Sequence, residues 1–412
     1  MLRMRRYKLR VALITLLLSA AVTAGATVLH VPDDHSTIQA GIDAAAENDT
    51  VMVADGTYIL NGNYDIDFDG VNLVLMSESG NPDDCIIDCQ GTASDRRRGF
   101  YFHHDETADS RVVGFTVTGG FATMGGAVNC DNASPTFDNC VFAMNTGDNY
   151  GGAVALFQSR PRFINCRFLA NGTHEPGMVF GGAVYATDSP ATFDTCLFAL
   201  NHAVDGYGGA VYFEGYPPPP LTRLDEPVFN HCTFVQNTAS YGAAIAVYDT
   251  EMLFNNSLLA FNGPGGAVWC DENGRVSLFC CDVFGHNLGD YIGCLLGQAG
   301  QNGNFSADPM FCDSDVVNYE IHMDSPCARY NNSCGVRIGS ERIGCGYTCG
   351  DVNSDGTINI IDIINLINYV YKDGPEPYPW KAGDINGDGE INILDIIPII
   401  LYKYKGGAPP SC

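Results

Sequence analysis

Two acidic segments near the C-terminus carry side chains whose spacing suits metal binding. Residues 351–362 and 384–395 both follow the pattern D-x-N-x-D-G-x-x-N-x-x-D. In a twelve-residue calcium loop, side chains at positions 1, 3, 5, 9 and 12 and the carbonyl at position 7 present oxygens to one ion, and glycine at position 6 makes the sharp turn. The predicted ligands are Asp351, Asn353, Asp355, Thr357, Asn359 and Asp362 in the first loop, and Asp384, Asn386, Asp388, Glu390, Asn392 and Asp395 in the second. Two matched copies predict two calcium ions, against the alternative of solvated acidic turns.

A second set of carboxylates recurs just after a repeated apolar segment. The segment is GGAV, with one weaker copy GAAI, and the acids are Asp131, Asp188, Glu214, Asp249 and Asp271. If the copies are stacked strands, these carboxylates line one face about 4.8 Å apart, where neighbours could act as general acid and base or hold calcium. The alternative is that Asp and Asn simply end strands in turns.

The repeats predict the fold that positions these acids. GGAV begins at Gly125, Gly151, Gly181, Gly208 and Gly265, and GAAI begins at Gly242. A second motif of the type FDNCVF follows, beginning at Phe137, Phe163, Phe193, Phe229 and Phe254. The mean period is about 28 residues, each unit holds short β-rich segments between Gly and Asn turns, and no helical periodicity separates them. This pattern predicts an all-β fold, a parallel β-helix in which equivalent residues of successive coils stack.

Two columns of equivalent residues have structural and functional interpretations. A cysteine column could be a metal or redox cluster, but buried thiols that fill the core are favoured. For an asparagine column, a structural interpretation is favoured, in which the side-chain amides hydrogen bond to each other and to the backbone in stacked turns. The columns are Cys140, Cys166, Cys196 and Cys232, and Asn145, Asn171, Asn201, Asn237 and Asn262.

The two ends of the repeat region differ from its middle. Ser36 or Thr37 predicts the start of a short helix that caps the first coil. Residues 285–345 are irregular, and their cysteines favour disulfides whose pairing the sequence leaves open.

Residues 1–26 indicate export. A basic head precedes an apolar run from Val11 to Val22 and a small-residue cleavage site, Ala24-Gly25-Ala26. This is typical of a secretory signal peptide, and no other segment is apolar enough to span a membrane. The formal net charge of −27 argues against nucleic acid and anionic membranes as partners and favours cation binding.

Residues 27–345, with their GGAV repeats and the entry segment TIQAGIDAAAENDTVMVADGTY, resemble the pectin-lyase-like superfamily of right-handed parallel β-helix proteins. The resemblance implies a polysaccharide lyase, a glycoside hydrolase or a polysaccharide-binding protein. The superfamily's paired-aspartate, Gly-His-Gly and Arg-x-Lys motifs are missing, and His286 in GHN is expected to be a turn residue. Arg96, Arg97 and Arg98 could contact a carboxylated sugar or lie in a solvated loop. Aromatic residues near the GGAV starts could stack on sugars or serve as packing; they are Tyr150, Tyr207, Tyr212 and Tyr241.

Residues 349–412 resemble a type I dockerin, because a helix is predicted after each calcium loop and none before it. The resemblance implies two calcium ions and a cohesin-bearing scaffold as partner. It also places partner choice at loop positions 10 and 11, here the apolar pairs Ile360-Ile361 and Ile393-Leu394. Pro398 falls inside the second helix, where it removes a backbone hydrogen bond. Since dockerin ends lie close together, the resemblance also makes a disulfide between Cys349 and Cys412 plausible.

Two functions follow from these patterns. The first is a secreted protein that acts on or binds a polysaccharide and is tethered to an extracellular cohesin-bearing partner by its calcium-binding dockerin. The second is a non-catalytic structural or adhesion protein of the cell surface that uses the same attachment module. The fold and the dockerin-like segment favour the first, and the regular GGAV repeats and the missing catalytic motifs favour the second.

Overall fold

The computed structural model describes residues 25–59, 61–174, 178–215, 226–313 and 318–412. Most of the predicted signal peptide, residues 1–24, lies outside this range. The described chain forms a parallel β-solenoid with few helices, as the repeats predict. The coils contribute short strands to several long sheets, and in these sheets each strand pairs in parallel with its equivalent in a neighbouring coil.

Four parallel sheets run along the solenoid, and we name them A to D. Sheet A contains Val28–Val31, Thr50–Val53, Val74–Ser77, Arg111–Val113, Thr136–Asp138, Arg162–Ile164, Thr192–Asp194, Val228–Asn230, Glu251–Asn255 and Arg275–Phe279. Sheet B contains Gly56–Tyr58, Cys85–Asp88, Thr116–Thr118, Val141–Ala143, Arg167–Leu169, Leu197–Ala199, Thr233–Val235, Leu258–Ala260 and Asp282–Phe284. Sheet C contains Phe100–Phe102, Val128–Asp131, Val154–Phe157, Val184–Thr187, Val211–Glu214, Ile245–Tyr248 and Val268–Cys270. Sheet D contains Phe121–Met124, Thr146–Tyr150, Gly172–Thr173, His202–Tyr207 and Thr238–Tyr241.

The remaining elements lie at the ends of the solenoid. Helix α1, Ile38–Ala44, precedes the second strand of sheet A, and Thr37 caps it by accepting a hydrogen bond from the Ala40 N–H. A small mixed sheet holds Phe311–Asp313, Asn318–His322 and Ile343–Cys345. Helices α2, Ile360–Lys372, and α3, Ile393–Lys405, follow the two acidic loops, and short 3₁₀ turns occur at Gly293–Leu295 and Trp380–Ala382. In the described part of the chain, no helix has the length and apolarity that a membrane span needs.

The core is built from stacked phenylalanines. The first Phe of the FDNCVF-type motif stacks on its equivalents from Phe137 to Phe254, with ring centroids 4.6–5.1 Å apart. The last Phe of the motif forms a parallel stack from Phe142 to Phe234, with spacings of 4.5–5.1 Å. These rings are fully buried, and such aromatic contacts add stability beyond their buried area.

The asparagine column is a buried hydrogen-bonded ladder, as predicted. Asn145, Asn171, Asn201 and Asn237 each donate from the backbone N–H and from the side-chain amide to the side-chain oxygen of the next asparagine, at 2.9–3.1 Å. Each amide also donates to a backbone carbonyl of the preceding coil. The buried polar atoms of the turn are therefore satisfied from coil to coil.

The cysteine column consists of buried free thiols, so the packing interpretation is confirmed. Each thiol donates to backbone carbonyls, as Cys196 does to Phe163 at 3.4 Å and to Asp194 at 3.5 Å. Burial raises the pKa of Cys196 well above its usual value, which keeps the thiol protonated and unreactive. Beside this core, the second glycine of GGAV allows the coils to approach closely: a Cβ on Gly182 would lie 2.1 Å from the Gly209 carbonyl oxygen.

The irregular end is held by disulfides. Its pairs are Cys270–Cys294, Cys280–Cys334 and Cys312–Cys345. A fourth disulfide, Cys349–Cys412, joins the two ends of the C-terminal segment, as the dockerin resemblance implied. Cys281 and Cys327, from the same irregular region, are buried free thiols. Residues 337–340 return along the solenoid, where the Arg337 carbonyl bonds His231 and the Ser340 N–H donates to Thr233.

Candidate functional sites: two acidic loops and a carboxylate cavity

The first acidic loop is closed by hydrogen bonds to its own carboxylates. Asp351 accepts from the backbone N–H groups of Asp355, at 3.1 Å, and Gly356, at 2.8 Å. Asp355 accepts from the N–H and the hydroxyl of Thr357, at 2.9 and 2.7 Å. Gly356 has a φ of +84°, the left-handed conformation that the turn at position 6 requires.

The second loop repeats the backbone N–H bonds of this network with every residue number raised by 33. Asp384 accepts from the N–H groups of Asp388, at 3.2 Å, and Gly389, at 3.1 Å, and Gly389 has a φ of +85°. Two independent stretches of sequence therefore fold into one geometry. Their donors are carboxylate, amide and carbonyl oxygens, the set that calcium prefers.

The last acid of each loop has a second role as part of a helix cap. Asn359 accepts from the Ile361 N–H at 2.8 Å, and Asp362 accepts from the Asn359 N–H at 2.7 Å, which is a capping box for α2. Asn392 and Asp395 cap α3 in the same way. Burial raises the pKa of Asp362, and the charges of Asp351 and Asp355 act in the same direction. A bound cation would offset this crowding of negative charge.

Helices α2 and α3 bury one apolar face against each other and expose another. Ile363 and Leu366 of α2 pack with Ile396 and Ile399 of α3 in one small core. The residues at loop positions 10 and 11 stay about half exposed: Ile360 49%, Ile361 49%, Ile393 46% and Leu394 54%. Helix α3 continues through Pro398 to Lys405. Each loop and helix thus presents an apolar surface to solvent, a feature of protein-binding sites.

The five predicted acids lie on or just after sheet C but occupy two register positions. Asp131, Glu214 and Asp271 share one position, which Phe157, Thr187 and Tyr248 fill in the intervening coils. Asp188 and Asp249 come one residue later and have positive φ angles of 49° and 51°. The acids therefore do not form one continuous column.

Three of the five acids meet at one cavity. Asp188, Glu214 and Asp249 line a hollow of about 190 Å³ together with Arg160. Glu214 accepts a hydrogen bond from the Tyr185 hydroxyl at 3.2 Å, and Asp249 accepts from the side chain of Asn273. Carboxylates from three successive coils, beside a cation, can share a proton, hold a cation or bind sugar hydroxyls.

The other two acids have local structural bonds. Asp271 accepts from the backbone N–H groups of Asp249, at 3.1 Å, and Gly274, at 2.6 Å. Asp131 lies at the other end of sheet C and accepts from the Asn132 amide at 2.8 Å. These contacts fit the interpretation of both residues as strand-end acids.

The aromatic residues at the GGAV starts pack on one another. Tyr150, Phe180, Tyr207 and Tyr241 form a continuous stack with centroid spacings of 5.7, 5.8 and 4.6 Å. Each inner ring is covered on both faces by its neighbours, so it has no free face for a sugar. The packing interpretation is therefore favoured for Tyr207 and for the buried Tyr212, whereas Tyr241, at the end of the stack, is 47% exposed.

The side chains of the arginine segment form ion pairs and hydrogen bonds within the protein. Arg96 bonds Asp148 at 2.5 Å, Arg97 bonds Asp95 at 2.6 Å, and Arg98 donates to the Gly125 carbonyl at 2.9 Å. His286 is buried and contacts Asn262 at 3.3 Å, so it ends the asparagine ladder.

Sequence reasoning missed one polar cleft of about 470 Å³. Arg167 enters it from sheet B, and Arg337, Glu341 and Arg342 enter it from the returning tail. Burial raises the pKa of Glu341 and lowers that of Arg337. These residues are about 170 positions apart in the chain, so no local pattern could have joined them.

Comparison with protein families finds a match in the C-terminal part of the chain. The family model described as "Dockerin type I domain" matches residues 349–402, and such domains bind calcium. A solved structure titled "Crystal structure of pectate lyase Pel9A" is similar, with a TM-score of 0.44 and 11% identity, covering 77% of this chain and 96% of that chain. The comparison with curated proteins finds no match. The chain therefore joins a parallel β-solenoid to a segment that matches the dockerin type I domain.

Proposed function

We propose that this is a secreted polysaccharide-active protein held on a cohesin-bearing partner by its dockerin. The meeting of Asp188, Glu214 and Asp249 in one cavity supports an activity in the solenoid. The duplicated loops support the attachment, since dockerin type I domains bind calcium and imply a cohesin partner.

The proposed chemistry uses the cavity carboxylates as a proton-transfer pair. Glu214, bonded by Tyr185, stays fixed beside the sugar, and Asp188 or Asp249 from a neighbouring coil acts as its partner. One protonated carboxyl donates to the leaving oxygen while an ionised one accepts a proton from water or from the sugar ring. Arg160 supplies positive charge for a carboxylated substrate.

The test incubates the full chain, with calcium, on a panel of plant and bacterial polysaccharides. Unsaturated uronic products would identify a lyase, and new reducing ends alone would identify a hydrolase. Glu214→Gln and the double variant Asp188→Asn with Asp249→Asn should each lower turnover by at least about 100-fold, the usual contribution of a general acid or base. Asp131→Asn, which changes an acid of the same sheet away from the cavity, should keep full turnover.

Two outcomes would contradict this assignment. Turnover that survives in both cavity variants would place the chemistry elsewhere. No turnover on any substrate would contradict the enzymatic activity. Retained sugar binding would then leave a tethered polysaccharide-binding protein, and absent sugar binding would favour the second function, a structural or adhesion protein.

The attachment is tested separately by binding to cohesin domains in calcium. We expect the double variant Ile361→Asp and Leu394→Asp to lose binding, because it places a charge on both exposed apolar surfaces. Leu296→Asp is the matched control, since Leu296 is a solvent-exposed leucine of the solenoid end. Equal binding by the double variant and the control would refute the proposed docking surface.

A further inference from the structure

A cluster of two histidines and two aspartates lies near the N-terminal end of the solenoid, outside both sites described above. The His103 Nδ1 atom is 3.8 Å from an Asp67 carboxylate oxygen. The His104 Nδ1 atom is 3.7 Å from the other Asp67 oxygen and 3.6 Å from Asp69. Neither motif-based nor repeat-based reasoning singles out these residues.

The solenoid register brings the two segments together. Ile66 forms a parallel bridge with Phe100, so residues 66–69 run beside residues 100–103. Phe68 and Phe102 point inward and pack with ring centroids 4.9 Å apart. Because side chains alternate between faces along a strand, Asp67 and His103 point outward from neighbouring coils.

The backbone that carries these side chains is held in place. Gln39 of α1 both donates to the Asp67 carbonyl, at 2.8 Å, and accepts from the Asp67 N–H, at 2.9 Å. The buried Glu106 accepts from the Gly70 N–H at 3.1 Å and from the His104 N–H at 3.0 Å. Such supporting contacts fix the positions of ligands around a metal ion.

One polar atom of the cluster lacks a partner. The His103 Nδ1 atom is shielded from solvent and has no hydrogen bond within the described residues. Its distance to Asp67 is too long for a direct hydrogen bond. A buried polar atom without a partner is costly, and a metal ion would supply the missing interaction.

The spacing of the ligand atoms leaves room for one ion. The ligand atoms of Asp67, His103 and His104 all lie within 4.8 Å of one another, so a single point lies within about 2.8 Å of each. Zinc–nitrogen bonds are about 2.0–2.1 Å long. Each ligand atom would therefore need to move by less than about 1 Å, through side-chain rotation, to reach bonding distance of the ion.

We propose that Asp67, His103 and His104 bind one zinc-class divalent ion and so join two neighbouring coils, with Asp69 available as a fourth ligand. Two imidazoles and a carboxylate suit zinc, nickel and cobalt, whereas calcium and magnesium prefer an all-oxygen set. The site is chemically distinct from the acidic loops.

The experiment uses the full chain without a polyhistidine tag, in excess calcium so that the acidic loops are filled. Calorimetry with zinc should show one saturable site per chain. Cobalt should give visible absorption bands typical of nitrogen coordination. His104→Ala and Asp67→Asn should each weaken zinc binding by at least about 10-fold, whereas His30→Ala, at an exposed histidine outside the cluster, should not.

Thermal unfolding provides a second measurement that does not depend on activity. Zinc should raise the midpoint of the parent and of His30→Ala, because it binds the folded state alone, and should leave His104→Ala unchanged. Circular dichroism of the variants checks that each is folded. Absence of saturable zinc binding in the parent, or equal zinc affinity in parent and folded cluster variants, would overturn the proposal.

Discussion

The solenoid and the dockerin segment both repeat a polar motif, but they satisfy its polar groups differently. In the solenoid, each buried asparagine pairs with the next coil, so donors and acceptors balance within the protein. In the acidic loops, carboxylates such as Asp351, Asp355 and Asp362 crowd together with like charge. A neutral ladder is thus complete in itself, whereas a bound cation would offset the negative charge of each anionic loop.

Removal of calcium should produce the largest difference in stability between the two regions. With a chelator, we expect the helices of residues 349–402 to unfold, because their loops lose the ion that offsets carboxylate repulsion. The β-solenoid should keep its far-ultraviolet signal and its unfolding midpoint. Calorimetry should show two separate unfolding transitions, and the chelator should remove one of them. That result would confirm that the two regions differ in their need for calcium. If the dockerin segment stayed helical without calcium, the expected difference between the two regions would be wrong.

Breaking one rung of the ladder should have the next largest effect. Asn201→Ala leaves the two donors of Asn171 and the Phe168 carbonyl without their partner. Since each unsatisfied buried group costs about 1–3 kcal/mol, we expect the three groups together to lower the free energy of unfolding of the solenoid by at least about 3 kcal/mol. Denaturant unfolding measures it, and Asn149→Ala, at a half-buried site of sheet D, is the control. Equal losses in the two variants would show that the ladder contributes little.

The solenoid also contains one buried carboxylate, as the acidic loops do, and it should affect how the stability of the protein depends on pH. Burial raises the pKa of Asp282 to about 7, although Ala307 and Cys327 donate to it. Between pH about 4 and 7 the unfolded chain releases this proton while the folded protein keeps it, so stability falls as the pH rises. The loss should reach about 2–4 kcal/mol and disappear in Asp282→Asn.

The comparison of Asp282→Asn with the parent at pH 5 and pH 8 isolates this group from the other carboxylates. The parent should lose more stability than the variant between the two values. Parallel losses in parent and variant would mean that Asp282 is ionised in the folded protein across this range.

A change within the cysteine column should have the smallest effect. Ser257 stands at the position equivalent to Cys232 and donates to the Phe229 and Asn255 carbonyls as the thiols do. Cys196→Ser should therefore cost less than about 1.5 kcal/mol, because the new hydroxyl finds acceptors already in place. A denaturant midpoint that falls as far as in Asn201→Ala would show that the thiols are needed for more than packing.

The elements that repeat were the ones the sequence could predict. The stacked coils, the buried thiols and the asparagine ladder follow from one residue type recurring at one place in each unit. The loops at 351–362 and 384–395 could also be predicted from the sequence, because the predicted ligands of each loop lie within twelve residues.

The features that the sequence could not predict depend on register or on distant contacts. The one-residue offset of Asp188 and Asp249 from the position of Glu214 can be counted in the sequence, but the turns with positive φ that carry these two acids, and the cavity that all three share, are seen only in the structure. The cleft at Arg337 arises because the tail returns along the solenoid. The histidine cluster depends on the bridge between Ile66 and Phe100 and on the contact of Phe68 with Phe102, which bring two coils together.

The spacing of the asparagine rungs has a consequence for how this protein can change. Successive rungs are separated by 26, 30, 36 and 25 residues, yet the bonds between them stay at 2.9–3.1 Å. Extra residues are therefore accommodated outside the stack, and each coil behaves as an interchangeable module. Duplication or deletion of one whole coil would preserve every rung, so the length of the solenoid, and with it the reach of its surface, can evolve in single steps.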